Sequence, residues 1–153
     1  MAQAQLSDKK RRLPLLPQAE VAVEGDEDRP PWHWSAIGAV GVFVLWLPLA
    51  ILVNGFGDGS AKPGGAVVAL NAFAFALACF TSGFLVGRFG GKAGPREAMA
   101  GGAAAGAMAW LIAATQIVQG FGIWLVFLAV LVVFGGGSAR AGGALGVAGR
   151  KRG

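Results

Sequence analysis

The chain has few of the residues that carry chemistry or keep a protein soluble. Only 14% of its 153 residues are charged, against about 25% in typical soluble domains, and 55% are apolar. It has a single cysteine, Cys79, and a single histidine, His33, which excludes an intrachain disulfide and a bis-histidine haem. No Ser/His/Asp grouping or phosphate-binding loop is present. We therefore expect no enzyme activity, no cofactor and no metal site.

Glycine, in contrast, is abundant. The chain has 26 glycines, more than twice the usual share of about 7%. The absence of a G-X-Y period excludes collagen, and the apolar content excludes a disordered linker. Together these features predict a polytopic membrane protein, in which glycine lets helices approach closely.

Four apolar runs follow a polar, proline-punctuated segment at residues 1–31, for which we expect a disordered cytoplasmic tail. Nineteen residues at about 1.5 Å each span roughly 28 Å, close to the thickness of a bilayer core. The runs predict an all-α bundle of four transmembrane helices within a membrane domain at 32–149, followed by a basic tail at 150–153. The approximate spans are 35–53, 64–87, 98–118 and 121–140. Whether the fourth helix ends near Arg140 or continues to Gly149 stays open.

The basic residues alternate between the connecting segments. With four spans, the N-terminal tail, the loop between the second and third spans, and the C-terminus together hold 12 of the 13 lysines and arginines. The positive-inside rule places that side in the cytoplasm. We therefore predict a multi-pass protein of the bacterial cytoplasmic (inner) membrane with both termini cytoplasmic. The net charge of +5 reflects this topology, and no nucleic-acid partner is expected.

Glycines spaced by four mark candidate helix-packing faces. Such spacing aligns small residues on one side of a helix, so that two membrane helices can touch backbone to backbone. We predict that the second and third helices form an antiparallel hairpin along two of these rows, and that the C-terminal segment repeats the pattern. The rows are Gly83, Gly87 and Gly91 in the second helix, Gly102 and Gly106 in the third, and Gly142 and Gly146 near the C-terminus.

Uncharged polar residues occur within the apolar runs, which carry no charged residue in the first three spans or as far as Phe134 in the fourth. Asn71, Thr115 and Gln116 fall towards the same, periplasmic end of the predicted bundle. They favour interhelical hydrogen bonds, worth about 0.6 kcal/mol each, over a polar pocket or transport pathway.

Four residues are candidate anchors at the membrane surface: Trp32, Trp34, Arg88 and Arg140. We expect the Arg140 side chain to snorkel into the cytoplasmic headgroups, because no carboxylate lies in the spans to pair with it. The alternative is a buried anion or proton site.

The segments SGFLVGRFGGKAG and GSARAGGALGV, with the glycine-rich third run between them, resemble small four-span bacterial membrane proteins of unknown function over about residues 35–149. The resemblance implies a four-helix membrane fold and no activity. We expect a non-enzymatic structural or accessory protein that contacts the lipid bilayer and forms a homo-oligomer or part of a larger membrane complex. The alternatives are a small pore former, such as a holin-like oligomer, and a small carrier.

Overall fold

The computed structural model describes residues 30–55, 64–114 and 121–152. These residues contain helices and no strand, which confirms the all-α fold class. Three of the helices, α1, α2 and α4, are long and apolar enough to cross a membrane. The four helices are α1 (Pro31–Gly55), α2 (Gly65–Phe89), α3 (Pro95–Ala114) and α4 (Phe121–Arg150).

The helix ends differ from the ends of the apolar runs. α1 and α3 each begin at a proline, a residue suited to the first helical position. α4 continues without a break to Arg150, so it does not end near Arg140. Residues 1–29 of the predicted tail and residues 115–118 of the third predicted span lie outside the described residues.

α1 and α2 run in opposite directions. Ser82, late in α2, donates a 2.7 Å hydrogen bond from its hydroxyl to the carbonyl of Gly38, early in α1. Asn71, early in α2, donates from Nδ2 to Oδ1 of Asn54 at the end of α1, over 3.3 Å.

α3 and α4 also run in opposite directions, because Gly102 of α3 faces Gly135 of α4 and Gly106 faces Leu131. The start of α1, the α2–α3 turn and the end of α4 therefore meet at one end of the bundle. We call it the basic end, since it carries Arg88, Lys92, Arg96, Arg150, Lys151 and Arg152.

The turn at the basic end is built by glycine and proline. The Gly90 N–H donates to the Val86 carbonyl at 2.8 Å and caps α2. Gly91 then adopts φ +57°, the left-handed conformation that favours glycine. The Gly94 N–H donates to the Glu97 carboxylate at 2.7 Å, which caps the start of α3.

The glycine rows of α2 and α3 both face α4, which differs from the prediction that these two rows pack against each other in an α2–α3 hairpin. A Cβ at Gly83 or Gly87 would overlap the backbone of Ala139 or Gly143, in α4. A Cβ at Gly106 would lie only 2.5 Å from the Leu131 carbonyl oxygen, also in α4.

In the C-terminal row, Gly142 and Gly146 of α4 lie against the backbone of α2 around Phe80 and Phe84. Gly91 does not extend the α2 row, because the helix ends at Phe89 and nothing lies within 4 Å of a Cβ at Gly91. The predicted helix-packing role for Gly91 is therefore replaced by a turn role.

α1 and α4 each pack against both α2 and α3 and lie on opposite sides of that pair. The centre is filled mainly by alanine and other small or medium side chains, with Phe75 as the one large member of the buried cluster among the described residues, so the helices approach closely there. The buried cluster consists of Ala39, Val42, Phe75, Ala78, Cys79, Ala105, Ala109 and Ala139.

Candidate functional site

A cavity of about 470 Å³ lies between the four helices, in the half of the bundle away from the basic end. We call it the lateral cavity. Every helix contributes to its wall. The lining residues are Trp46 and Asn54 of α1, Val68, Asn71, Ala72 and Phe75 of α2, Ala109 and Ala113 of α3, and Phe127, Val130, Leu131 and Phe134 of α4.

The cavity follows from a change of residue size along α4. From Gly135 to Gly149 this helix is rich in glycine and alanine, and its backbone contacts the glycines of α2 and α3. From Phe121 to Phe134 it consists almost entirely of large apolar residues. Helices separated by bulky side chains leave gaps that glycine faces do not. The bundle is therefore closely packed at the basic end and contains a cavity in the other half.

The exposed part of the wall belongs mainly to α2 and α4. Val68 and Val130 are each 55% exposed, and Phe127 and Phe134 are nearly half exposed. Ala109 of α3, in contrast, is buried. The cavity therefore opens sideways, on the outer surface of the bundle between α2 and α4.

Polar groups in the wall are few and uncharged. Asn71 donates from Nδ2 both to Asn54 and, at 3.1 Å, to the Val67 carbonyl of its own helix. Trp46 packs edge-on against Phe75, with ring centroids 5.5 Å apart. Its indole nitrogen is buried and donates no hydrogen bond within the described part of the chain. A buried donor without an acceptor is uncommon and costs about 1–3 kcal/mol.

The cavity ends at the core on its basic side. Phe75 lines it, and the next turn of α2 contributes Ala78 and Cys79, at most 1% exposed, to the packed centre. One turn further, the Ser82 hydroxyl donates its hydrogen bond to the Gly38 carbonyl. Within the described residues, packed side chains and glycine backbones thus separate the cavity from the basic end.

The sequence-predicted polar residues are only partly brought together. Asn71 makes an interhelical hydrogen bond to Asn54, and it also lines the cavity, whose wall is mainly apolar. Thr115 and Gln116 lie outside the described residues. Trp46 and Asn54 were not singled out by the sequence. A tryptophan in the middle of an apolar run, far from either surface, was the available signal for Trp46.

The predicted surface anchors occupy different environments at the basic end. Trp32 is 64% exposed and stacks on His33, with ring centroids 3.8 Å apart. Trp34 is partly buried and packs on a small core cluster of Val86, Ala93 and Ala98. It therefore contributes to helix packing as well as lying near the surface.

Arg88 and Arg140 lie at different depths. Arg88 is in the last turn of α2, next to Gly149 of α4. Arg140 is exposed on α4 at the level of Gly83, because its neighbour Ala139 contacts that glycine. Five residues separate this level from Arg88, or about 7 Å along the helix axis. An arginine side chain can cover that distance.

No protein-family model, curated protein or solved structure matches the chain. The described residues also contain no group of three histidine, cysteine, aspartate or glutamate side chains that could hold a metal ion. The lateral cavity and the basic end are therefore the features on which a functional assignment can be based.

Proposed function

We propose that the protein is an integral protein of the bacterial cytoplasmic membrane and crosses it four times. The alternating directions of the helices support four crossings, because α3 runs alongside α4 over most of its length. α3 has 20 residues and is about 30 Å long, as a membrane span requires. Its lower hydropathy follows from its alanine and glycine content, which suits a helix packed against three others.

We further propose that the glycine faces hold this bundle together within the lipid. Apolar side chains gain little by leaving lipid for a protein interior, so close backbone packing must supply the attraction. The contacts of Gly83, Gly87, Gly102, Gly106 and Gly142 with neighbouring backbones support this role, as do those of Gly146.

The proposed orientation puts the basic end in the cytoplasm. Six of the described basic residues belong to that end, and Arg150 donates a hydrogen bond to the Gly91 carbonyl across it. Positive charge is retained on the cytoplasmic side during insertion, and it is attracted there by anionic lipid. Both chain ends would then be cytoplasmic.

The proposed role is non-enzymatic, structural or accessory, within a homo-oligomer or a larger membrane complex. The observation that carries it is the closely packed basic half of the bundle. A pore or carrier needs a polar route between the two membrane faces, usually with ionisable groups. The described residues offer instead a lateral, apolar cavity that ends at the core. The resemblance to small four-span bacterial membrane proteins agrees with such a role.

The alternatives are a holin-like pore or channel oligomer and a small carrier. Purified protein reconstituted in planar bilayers separates the pore or channel from the proposed role. We expect no stepwise current at protein densities that place many oligomers in the bilayer, and no lysis after induced expression. Discrete conductance steps that disappear in a Gly87→Leu variant would instead favour a pore built on the glycine faces.

A further inference from the structure

The fourth helix is longer than a membrane crossing requires. The 30 residues of α4 measure about 45 Å, whereas the hydrocarbon core of a bilayer is about 30 Å thick. The part of α4 from Phe121 to Arg140 alone measures about 30 Å. In a membrane-embedded bundle, Arg140 therefore lies at the boundary of the hydrocarbon core on the basic side, next to the layer of lipid phosphates.

The first turn of α3 lies beside Arg140. A Cβ at Gly143 would lie 3.2 Å from the Pro95 Cα, and a Cβ at Gly136 would lie 3.4 Å from the Met99 Cγ. Arg140 comes between these two glycines in α4. It is therefore at the height of the α3 residues between Pro95 and Met99, and one of these residues is also an arginine.

That residue, Arg96, lies on the same side of the α3–α4 contact as Arg140. Successive residues of a helix are rotated by about 100°. Arg96 is therefore about 60° around α3 from Met99, and Arg140 is about 40° around α4 from Gly136, each in the direction away from α2. Both side chains are exposed. We call them the arginine pair, because they lie on either side of the place where Gly136 packs on Met99.

The arginine pair has no carboxylate beside it in the described part of the chain. Glu97 is the only acidic residue there, and its carboxylate accepts the 2.7 Å hydrogen bond from the Gly94 N–H. Glu97 also lies on another face of α3, four residues before Gly101, which packs on α1. Two guanidinium groups near the edge of a bilayer, with no such partner among the described residues, favour an anionic ligand.

We propose that the arginine pair binds the phosphate of an anionic phospholipid, whose acyl chains lie along the outer surface of α3 and α4. A guanidinium group binds phosphate through two parallel N–H groups, and a phospholipid supplies phosphate at this height in the membrane. A choline or ethanolamine headgroup would bring a third cation to the pair, so a lipid with a net negative charge is favoured. This proposal rests on the membrane location proposed above and identifies a lipid partner for it.

Binding of the first lipid molecule tests the proposal. It can be measured by native mass spectrometry of the whole chain released from neutral detergent micelles. Dioleoyl phosphatidylglycerol is the anionic probe, and dioleoyl phosphatidylcholine is the zwitterionic probe with the same acyl chains. We expect the apparent dissociation constant to be about tenfold lower for the anionic lipid. Equal dissociation constants for the two lipids would overturn the proposal.

Arginine variants test whether the pair is the binding site. Arg96→Gln and Arg140→Gln should each weaken binding of the anionic lipid by about tenfold, the loss of one charge-assisted contact, and should leave binding of the zwitterionic lipid unchanged. Arg140→Lys should retain most of the affinity, because lysine still binds phosphate as a point charge. Helical circular dichroism checks that each variant is folded. If Arg140→Gln does not fold, Arg96→Gln tests the same phosphate from α3.

Arg152→Gln is the matched control. It removes the same charge from an exposed position at the basic end, two residues beyond the end of α4. Its effect on binding of the anionic lipid should be within about twofold, as expected for a distant surface charge. If Arg152→Gln weakens binding as much as the exchanges at the pair, the whole basic end attracts the lipid and the specific site is refuted.

Inorganic phosphate tests whether the ligand is a lipid or a free anion. It carries the same anionic oxygens without acyl chains, so at millimolar concentration it should not displace phosphatidylglycerol. Displacement would mean that the pair binds a soluble anion, and would overturn the lipid assignment. The membrane topology can fail separately, because reporter fusions test it without any measurement of lipid binding.

Discussion

Replacing Gly142 with alanine tests close packing between α2 and α4. The new Cβ would lie 2.9 Å from the Phe80 carbonyl carbon and from the Phe84 amide nitrogen, and would overlap the Phe80 carbonyl oxygen. Since ordinary contacts of this kind are about 3.5–4.0 Å, the two helices would have to separate by roughly 1 Å. These atoms belong to the backbone, so no side-chain rotation can relieve the overlap. We expect a cost of about 1–3 kcal/mol, as for other overpacked sites.

Gly137→Ala is the matched control. Gly137 lies in the same helix five residues earlier, and nothing lies within 4 Å of a Cβ there. Both exchanges gain the same helix propensity, up to about 1 kcal/mol, so their difference isolates the overlap. The free energy of unfolding would be measured in mixed micelles by titration with dodecyl sulfate, followed by helical circular dichroism. Equal stability of the two variants, within about 0.5 kcal/mol, would refute the close-packing account.

Three further predictions concern single side chains. Arg140→Lys should insert and fold normally, because a snorkelling side chain supplies only a positive charge. Arg140→Glu should reduce membrane insertion, measured by fractionation. Loss of folding in Arg140→Lys would indicate instead that Arg140 is a buried site. Ser82→Ala should lower the free energy of unfolding in micelles by about 0.6 kcal/mol, because the hydrogen bond to the Gly38 carbonyl is lost. The control, Ser138→Ala at a half-buried position on α4, should change the free energy of unfolding less. Glu97→Ala removes the cap on the Gly94 N–H and should cost about 1 kcal/mol in the same titration, and an unchanged value would contradict a stabilising cap.

The helices could be predicted from the sequence because their signals are local. Long apolar runs separated by glycine, proline and charge predict where helices lie, and all four occur in the structure. The ends of the helices were predicted less accurately. The run ending near Arg140 continues as a helix to Arg150, because glycine and alanine remain helical when neighbouring backbones pack against them.

The partners of the helices could not be predicted. Glycines spaced by four identify the face of a helix that carries small residues, but they do not identify which helix will contact that face. The spacing therefore predicts that the α2 and α3 rows pack against each other, whereas in the structure both face α4.

The cavity could not be predicted for a similar reason. It depends on Trp46, Asn71 and Phe134, which belong to three different helices, and on the gap left between them. The sequence identified only Asn71, because a polar residue in an apolar run is visible in the sequence, whereas a gap between helices is not.

The topology of the chain is the most direct test of the account, because the proposed membrane role depends on it. A reporter enzyme active only in the periplasm would be fused after Gly57, Gly91, Gln119 and Gly153 in separate fusion proteins of equal expression. The 12-to-1 distribution of basic residues predicts activity at Gly57 and Gln119, and silence at Gly91 and Gly153. Activity at Gly153 together with silence at Gly91 would mean that α3 or another helix does not cross the membrane, and would contradict the four-span bundle.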